Sequence, residues 1–309
     1  MKLHILKWER LWWSISALLI FAGIIAMVIS YSTFNSPVRP GIDFIGGTRL
    51  QLQLVCAAEE TCYQSIDTGK VREILVQQGL NGSIQVLENN ILSIRSKNLD
   101  VDQRTQLQQI LNKKIGQFNP ETIQIDTVGP TVGQELFKSG ILALLVAFFG
   151  IIIYLTVRFQ FDYAFFAIIA LVHDVFITVG VFAVLGLITE IEVDSLSLVA
   201  LLTIIGFSVN DTVVIYDRIR DNIDKKPGIS INEIVETSVK QSLARSINTS
   251  VTTILPLLTI FLFGGETLKY FSLALIIGFL AGAYSSIFIA STLLAWWRNR
   301  TFSSSSVES

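Results

Sequence analysis

Apolar runs long enough to cross a bilayer constrain this chain more than any other feature. A membrane-spanning helix needs about 20 consecutive, mostly apolar residues. The sequence offers such runs at 11–30, 136–157, 163–188, 195–216, 246–263 and 268–297. Only 16% of the 309 residues are charged and 51% are hydrophobic, whereas soluble domains carry roughly 25% charged residues. A disordered chain is therefore excluded and an ordinary soluble enzyme is set aside. The net charge of −2 gives no basic surface for nucleic acid. Two cysteines rule out a four-thiolate zinc site, and two histidines, His4 and His173, leave no histidine-rich metal centre. No metal and no cofactor is expected. What remains is a polytopic α-helical membrane protein with six spans, and residues 31–135 between the first two are enough for a small separate domain.

Lys and Arg in short loops set orientation. Lys2, Lys7 and Arg10 precede the first span, and Arg158 falls between the second and third. Arg218, Arg220, Lys225, Lys226 and Lys240 lie in the loop 217–245, and Arg298 and Arg300 open the tail 298–309. With six spans all of these share one side. The opposite short loops hold Glu190, Glu192 and Asp194, then Glu266 and a single Lys269. Both termini, with residues 1–10 at the start, are expected in the cytoplasm and residues 31–135 outside it, with membrane lipid as the partner of the six spans. The first apolar run is long enough to span, so it reads as an uncleaved anchor rather than a secretory signal. The Ser-rich end, 301–309, is expected to be disordered. No internal repeat is evident.

Six short segments follow in the outer region. Residues 48–55 alternate apolar and polar, as a half-buried strand does. Residues 67–78 carry helical periodicity with Gly79 as a stop. Segments 83–88 and 91–97 alternate again around Asn89-Asn90, a hairpin-turn pair. Residues 101–115 are helical and 121–128 form a last strand. The order β-α-β-β-α-β is that of the ferredoxin-like split motif. It carries no catalytic constellation, so the chain is not expected to be an enzyme and a binding or mechanical role is expected of this domain. Cys56 and Cys62 lie outside the membrane, where they can close a disulfide or remain thiols.

Ionisable groups inside apolar spans are costly and point to function. Four stand out: His173 and Asp174 in the third span, Asp211 in the fourth and Arg245 at the start of the fifth. Asp211 precedes Asp217 by six residues, about 9 Å of helix at 1.5 Å per residue. Arg245 enters from the same side, so the two can meet at similar depth. They form either a static ion pair or a proton-titrating site, and the surrounding polar stripe favours the second. In the fifth span Arg245, Asn248, Thr249, Thr252 and Pro256 fall on one helical stripe. In the fourth, Thr203, Gly206 and Asn210 lie beside Asp211. His173 and Asp174 join this supporting pathway, although adjacent helix positions do not normally face each other. Gly278, Gly282 and Ser286 of the sixth span repeat every four residues, which suits close helix contact. Burial favours a neutral carboxyl and a nearby guanidinium favours the ionised one, so helix movement and proton binding can be coupled.

Several motifs resemble a known family. Gly41-Ile42-Asp43-Phe44-Ile45-Gly46-Gly47 follows the first span, and Val128-Gly129-Pro130-Thr131-Val132-Gly133 leads into the second. Leu171-Val172-His173-Asp174 lies in the third, and Ile205-Gly206-Phe207-Ser208-Val209-Asn210-Asp211-Thr212-Val213-Val214 in the fourth, running on to Asp217-Arg218-Ile219-Arg220. Arg245-Ser246-Ile247-Asn248-Thr249-Ser250 and Gly282-Ala283-Tyr284-Ser285-Ser286 complete the series. In this order, and over nearly the whole chain, they resemble the SecF side of the bacterial SecD/SecF family, in the resistance-nodulation-division superfamily. The first motif alone would fit either side, through Gly41, Asp43, Gly46 and Gly47. Phe207 departs from the pattern, which has Tyr there.

The resemblance implies a multi-pass subunit of the bacterial cytoplasmic (inner) membrane that pairs with SecD. Such a pair uses protons as coupling ion to help the SecYEG translocon, with SecA on the same pathway, move preproteins outward. The translocating preprotein would meet the outer domain. It also implies that the proton-transport residues are Asp211 and Arg245. A proton-coupled exporter of small molecules is the alternative, but the chain has only half the spans of such a machine and no large porter domain. A passive translocon scaffold is the third reading, and it would not need Asp211 to titrate.

Overall fold

The computed structural model describes residues 4–58, 66–80, 82–87, 90–226 and 228–305. In chain order its first elements are α1 (Glu9–Phe34), α2 (Ile42–Ile45), β1 (Gly47–Gln53), α3 (Val55–Ala58), α4 (Thr68–Gln77), β2 (Gly82–Leu87), β3 (Ile91–Ser96), α5 (Val101–Lys114) and β4 (Gln124–Val128). Then come α6 (Pro130–Arg158), α7 (Phe161–Ile188), α8 (Ser195–Lys225), α9 (Ile231–Phe263), α10 (Glu266–Ser285) and α11 (Ser291–Ser305), with a π-helical turn, Ser286–Ala290, joining the last two. The chain divides into two compact units. One is Pro40–Gly140; the other combines Met1–Arg39 with Ile141–Ser309.

The Pro40–Gly140 unit is a four-stranded sheet in the order β2-β3-β1-β4, each neighbouring pair antiparallel. That is the ferredoxin-like arrangement, with β3 inserted between β1 and β2. Alternation along the strands sends Leu50, Leu52, Leu92 and Ile94 to one face. There they bury against Val71, Ile74 and Leu75 of α4 and Leu107 and Leu111 of α5. Both helices begin on side-chain caps that satisfy otherwise orphaned amides. Asp67 accepts from the amides of Gly69 and Lys70, and Asp100 forms a reciprocal capping box with Gln103. Asn90 takes the left-handed conformation, φ +51°, while its turn partner Asn89 lies outside the described residues. Cys56 is disulfide-bonded. The sequence holds one other cysteine, Cys62, whose position is outside the described residues.

The second unit is a helical bundle. Among the described residues six helices are long and apolar enough to cross a membrane, so the protein is a multi-pass membrane protein. Exposed faces carry Leu18, Phe21 and Val28 on α1, and Leu142, Val146, Phe149 and Ile153 on α6. A hydrocarbon surround suits such faces, because every backbone group is satisfied within its own helix. Close approach between helices depends on small residues. A Cβ on Gly23 of α1 would sit 3.0 Å from the Gly180 Cα of α7, so the α1–α7 crossing is built on two facing glycines.

The segment expected as a cytoplasmic loop, 217–245, is largely helical. α8 continues to Lys225 and α9 starts at Ile231. The reason is local. Asp221 bonds Arg218 and Lys225 at i,i+3 and i,i+4 spacing, and Ser230 caps α9 through the Glu233 amide. Ile219, Ile234, Val235 and Val239 meanwhile bury one face of the hairpin. The tail differs from expectation too: α11 runs to Ser305, and residues 306–309 lie outside the described part.

Candidate functional site

The four-residue repeats of the sixth and fourth spans fit into each other. A Cβ on Gly278 would run into the Ile204 side chain, and one on Gly282 would lie 3.1 Å from Ser208 Cβ. Ser286 pairs with Thr212 through hydroxyls 2.7 Å apart. Residues 278, 282 and 286 thus face 204, 208 and 212, both rows spaced by four. This seam brings polar groups from α7, α8 and α10 to a single carboxylate.

That carboxylate is Asp174, fully buried in α7. Its Oδ2 accepts from Ser208 Oγ at 2.5 Å and from Ser285 Oγ at 2.8 Å. Its Oδ1 lies 2.9 Å from His173 Nδ1. The sequence reading set these two neighbours apart, because adjacent positions diverge around a helix. The structure corrects that: both point to the side covered by α8 and α10, and the imidazole reaches the carboxylate across the arc between them. The His173 ring also stacks on Tyr284, centroids 6.1 Å apart. Tyr284 in turn donates to the Trp12 carbonyl and accepts from Ser16 of α1. Directly below, the sixth span loosens into the π-turn Ser286–Ala290, a distortion that often marks functional positions in helices.

Asp211 lies one turn beyond Ser208 on α8 and is 3% exposed. Its Oδ2 is buried without a hydrogen-bond partner among the described residues, as is Ser246 Oγ. Arg245 of α9 acts on this carboxyl through its charge, and Ser246 of the same helix lies near it without completing a hydrogen bond of good geometry. Arg245 makes no ion pair with Asp211 within 4 Å among the described residues. The static pair considered from sequence is therefore not formed, and Arg245 is exposed. It lines a cavity of about 540 Å³ with Val214, Asp217, Arg218, Asp221, Gln241 and Ser242. In that cavity Asp217 is held by Arg158 at 3.0 Å and Arg218 by Asp221 at 3.1 Å.

The polar stripe of α9 turns out to face away from its own bundle. Asn248 and Thr252 are exposed and Thr249 is half-buried. The Thr249 and Thr252 hydroxyls bond back to the Arg245 and Asn248 carbonyls. On α8, Thr203, Gly206 and Asn210 are exposed as well. The face of α9 that packs inward is instead a row of serines, Ser238, Ser242, Ser246 and Ser250. Neither these nor Ser208 and Ser285 stood out in the sequence, although their four-residue spacing was there to be read. Phe207 stacks on Phe279 with centroids 4.0 Å apart.

The glycine motif of the Pro40–Gly140 unit has a steric role. Ile42–Ile45 form one helical turn, with Asp43 in it, between Gly41 and Gly46. Gly46 has φ +76°, and a Cβ there would lie 2.8 Å from Pro130 Cα. Gly47 has φ +137°, and its Cβ would lie 2.6 Å from the Ser96 carbonyl oxygen. Gly133 returns the contact against the Phe44 carbonyl at 3.0 Å. Two separate glycine motifs in the sequence thus close on one another. Among the described residues no cluster of His, Cys, Asp and Glu could hold a metal ion.

Comparison with known proteins agrees with this architecture. Residues 107–300 match the family described as protein export membrane protein SecD/SecF, C-terminal, and residues 31–58 match the SecD/SecF GG motif. A protein translocase subunit SecF of Synechocystis is 61% identical over 96% of this chain and 95% of its own length. A SecF of Thermobaculum terrenum is 38% identical over 97% and 95%. Among solved structures, the crystal structure of a Thermus SecDF, described as a translocon-associated membrane protein, superposes with TM-score 0.81 at 28% identity. It covers 97% of this chain, which spans 39% of that longer one. The chain belongs to the SecD/SecF family of protein export membrane proteins.

Proposed function

We propose that this chain is the SecF-like half of a proton-driven motor that assists protein export across the bacterial cytoplasmic membrane, working with a SecD-like partner. The observation that carries this reading is the open polar face on α8 and α9. Asn210 and Asn248 are exposed within apolar spans and Arg245 at the edge of one, where hydrocarbon would leave polar side chains without partners. A second membrane subunit covering that face would satisfy them. The length relation supports the same view, since this chain matches about two fifths of a SecDF chain.

Beneath that face lies Asp211, with one carboxylate oxygen that has no hydrogen-bond partner among the described residues, and with Arg245, which forms no ion pair among them, on the neighbouring helix. Movement of the partner would bring Arg245 toward Asp211 or take it away. Two unit charges at 4 Å attract by about 4 kcal/mol at an effective dielectric of 20, and desolvation opposes this. A proton on Asp211 removes the attraction, so proton binding and helix position are linked. One charge crossing 100 mV adds about 2.3 kcal/mol, enough to bias a two-state element. Lys and Arg placement supports a cytoplasmic position for both termini, and with it an outer position for Pro40–Gly140, where that unit would meet the preprotein. SecYEG and SecA would then be neighbours on the same pathway. The test is Asp211→Asn: proton-dependent export should stop while insertion and partner association persist. Normal export in that variant would favour a passive scaffold.

A further inference from the structure

We infer that His173 and Asp174 form a second proton-binding site in the bundle, separate from Asp211 and Arg245, with His173 Nε2 as the atom that takes the proton. It rests on the proton-driven reading above for its purpose, but not for its chemistry. Both oxygens of Asp174 are occupied as acceptors: Oδ2 by two hydroxyls and Oδ1 by the imidazole. With the Asp174 carboxylate ionised, Nδ1 of His173 carries the hydrogen of that bond and Nε2 is left bare. Nε2 is buried and has no partner among the described residues, on a side chain only 6% exposed. Buried polar atoms almost always find partners, so an imidazole nitrogen held this deep beside an occupied carboxylate, with none among the described residues, is placed to take a proton.

The charge arithmetic favours exchange at this atom. With a neutral imidazole the pair carries −1; with a proton on Nε2 it carries 0. One N–H bond forms on uptake and the same bond breaks on release, with no other reactant. The hydroxyls of Ser208 and Ser285 hold the carboxylate through both states. The other titratable groups around the pair are few. Tyr284 of α10 stacks on the ring, and Asp211 lies one turn past Ser208 on α8. The first span has none between Arg10 and Tyr31, and the π-turn Ser286–Ala290 has none. Because Ser208, which bonds Asp174, belongs to the helix that carries Asp211, a change of charge here bears on α8 directly.

The sequence makes the test clean. The chain has two histidines, so a His4→Gln variant leaves His173 alone. The full chain, labelled with ¹⁵N-histidine and reconstituted in nanodiscs with unlabelled partner subunit, is titrated by solid-state NMR between about pH 5 and 8. Nε2 should change from bare to protonated as the pH falls while Nδ1 stays protonated. In Asp174→Asn the midpoint should move by about tenfold or more in proton concentration. An Nε2 that keeps one state throughout overturns the proposal, whatever the folding of the variant, and so does an unmoved midpoint in a folded Asp174→Asn. If His173 titrates while Asp211→Asn exports normally, the proton site stands and the proposed function fails. If His173 is silent while Asp211→Asn stops proton-driven export, the second site fails alone.

Discussion

The seam between α8 and α10 is open to a quantitative test. Gly278 faces Ile204, which is fully buried, and a Cβ at Gly278 would come within 3.0 Å of three atoms of that side chain. Overpacking of this kind costs about 1–3 kcal/mol. A glycine-to-alanine change within a helix also gains up to about 1 kcal/mol of helix propensity, so Gly278→Ala alone should be modestly destabilising. Ile204→Ala alone should cost about 2–5 kcal/mol by opening a cavity. Together the new methyl enters the space the isoleucine vacates. The double variant should therefore be more stable than the two single changes predict, by about 1–3 kcal/mol. Gly150→Ala on α6 is the control, since nothing lies within 4 Å of that position. Reversible unfolding of the full chain by SDS in bicelles, followed by helicity, measures all four. Strictly additive changes, within about 0.5 kcal/mol, would show that α8 and α10 do not interlock at this pair.

Three further outcomes follow from the same contacts. Asp100→Ala removes the side-chain acceptor of the Gln103 amide in the α5 capping box, while the backbone amide of residue 100 can still donate to Gln103, and should lower the stability of the Pro40–Gly140 unit by about 1 kcal/mol, read as an earlier thermal transition. Arg245→Lys keeps the charge but loses the planar fork, so export in a vesicle assay should fall; full activity would show that a point charge suffices. A reporter fused after Ser309 should register the cytoplasm and one inserted near Asn89 the outside, and reversed signals would overturn the orientation.

Much of the fold was legible because two periods dominate the sequence. Apolar runs near 20 residues located the six spans, and period-two and period-3.6 alternation located the strands and helices of the ferredoxin-like unit. What escaped was set by packing rather than by period. The helical hairpin over residues 217–245 is rich in charge and reads as a loop. It is helical because i,i+4 ion pairs and a buried apolar face act together. The His173–Asp174 bond escaped for a similar reason: helix geometry alone separates neighbours, and only the covering helices turn both side chains the same way. The π-turn at Ser286–Ala290 leaves no mark in composition. The polar stripe on α9 was visible in the sequence, but its direction was not, since sequence does not tell an inward face from one awaiting another subunit.

That direction makes Asp211 the centre of the account, and proton flux tests it most directly. The full chain and its SecD-like partner, reconstituted in liposomes loaded with a pH-sensitive dye, should acidify the lumen under an imposed gradient during preprotein movement. Asp211→Asn should bring that flux to the level of empty liposomes while the two subunits still co-purify. Undiminished flux in Asp211→Asn would contradict the account.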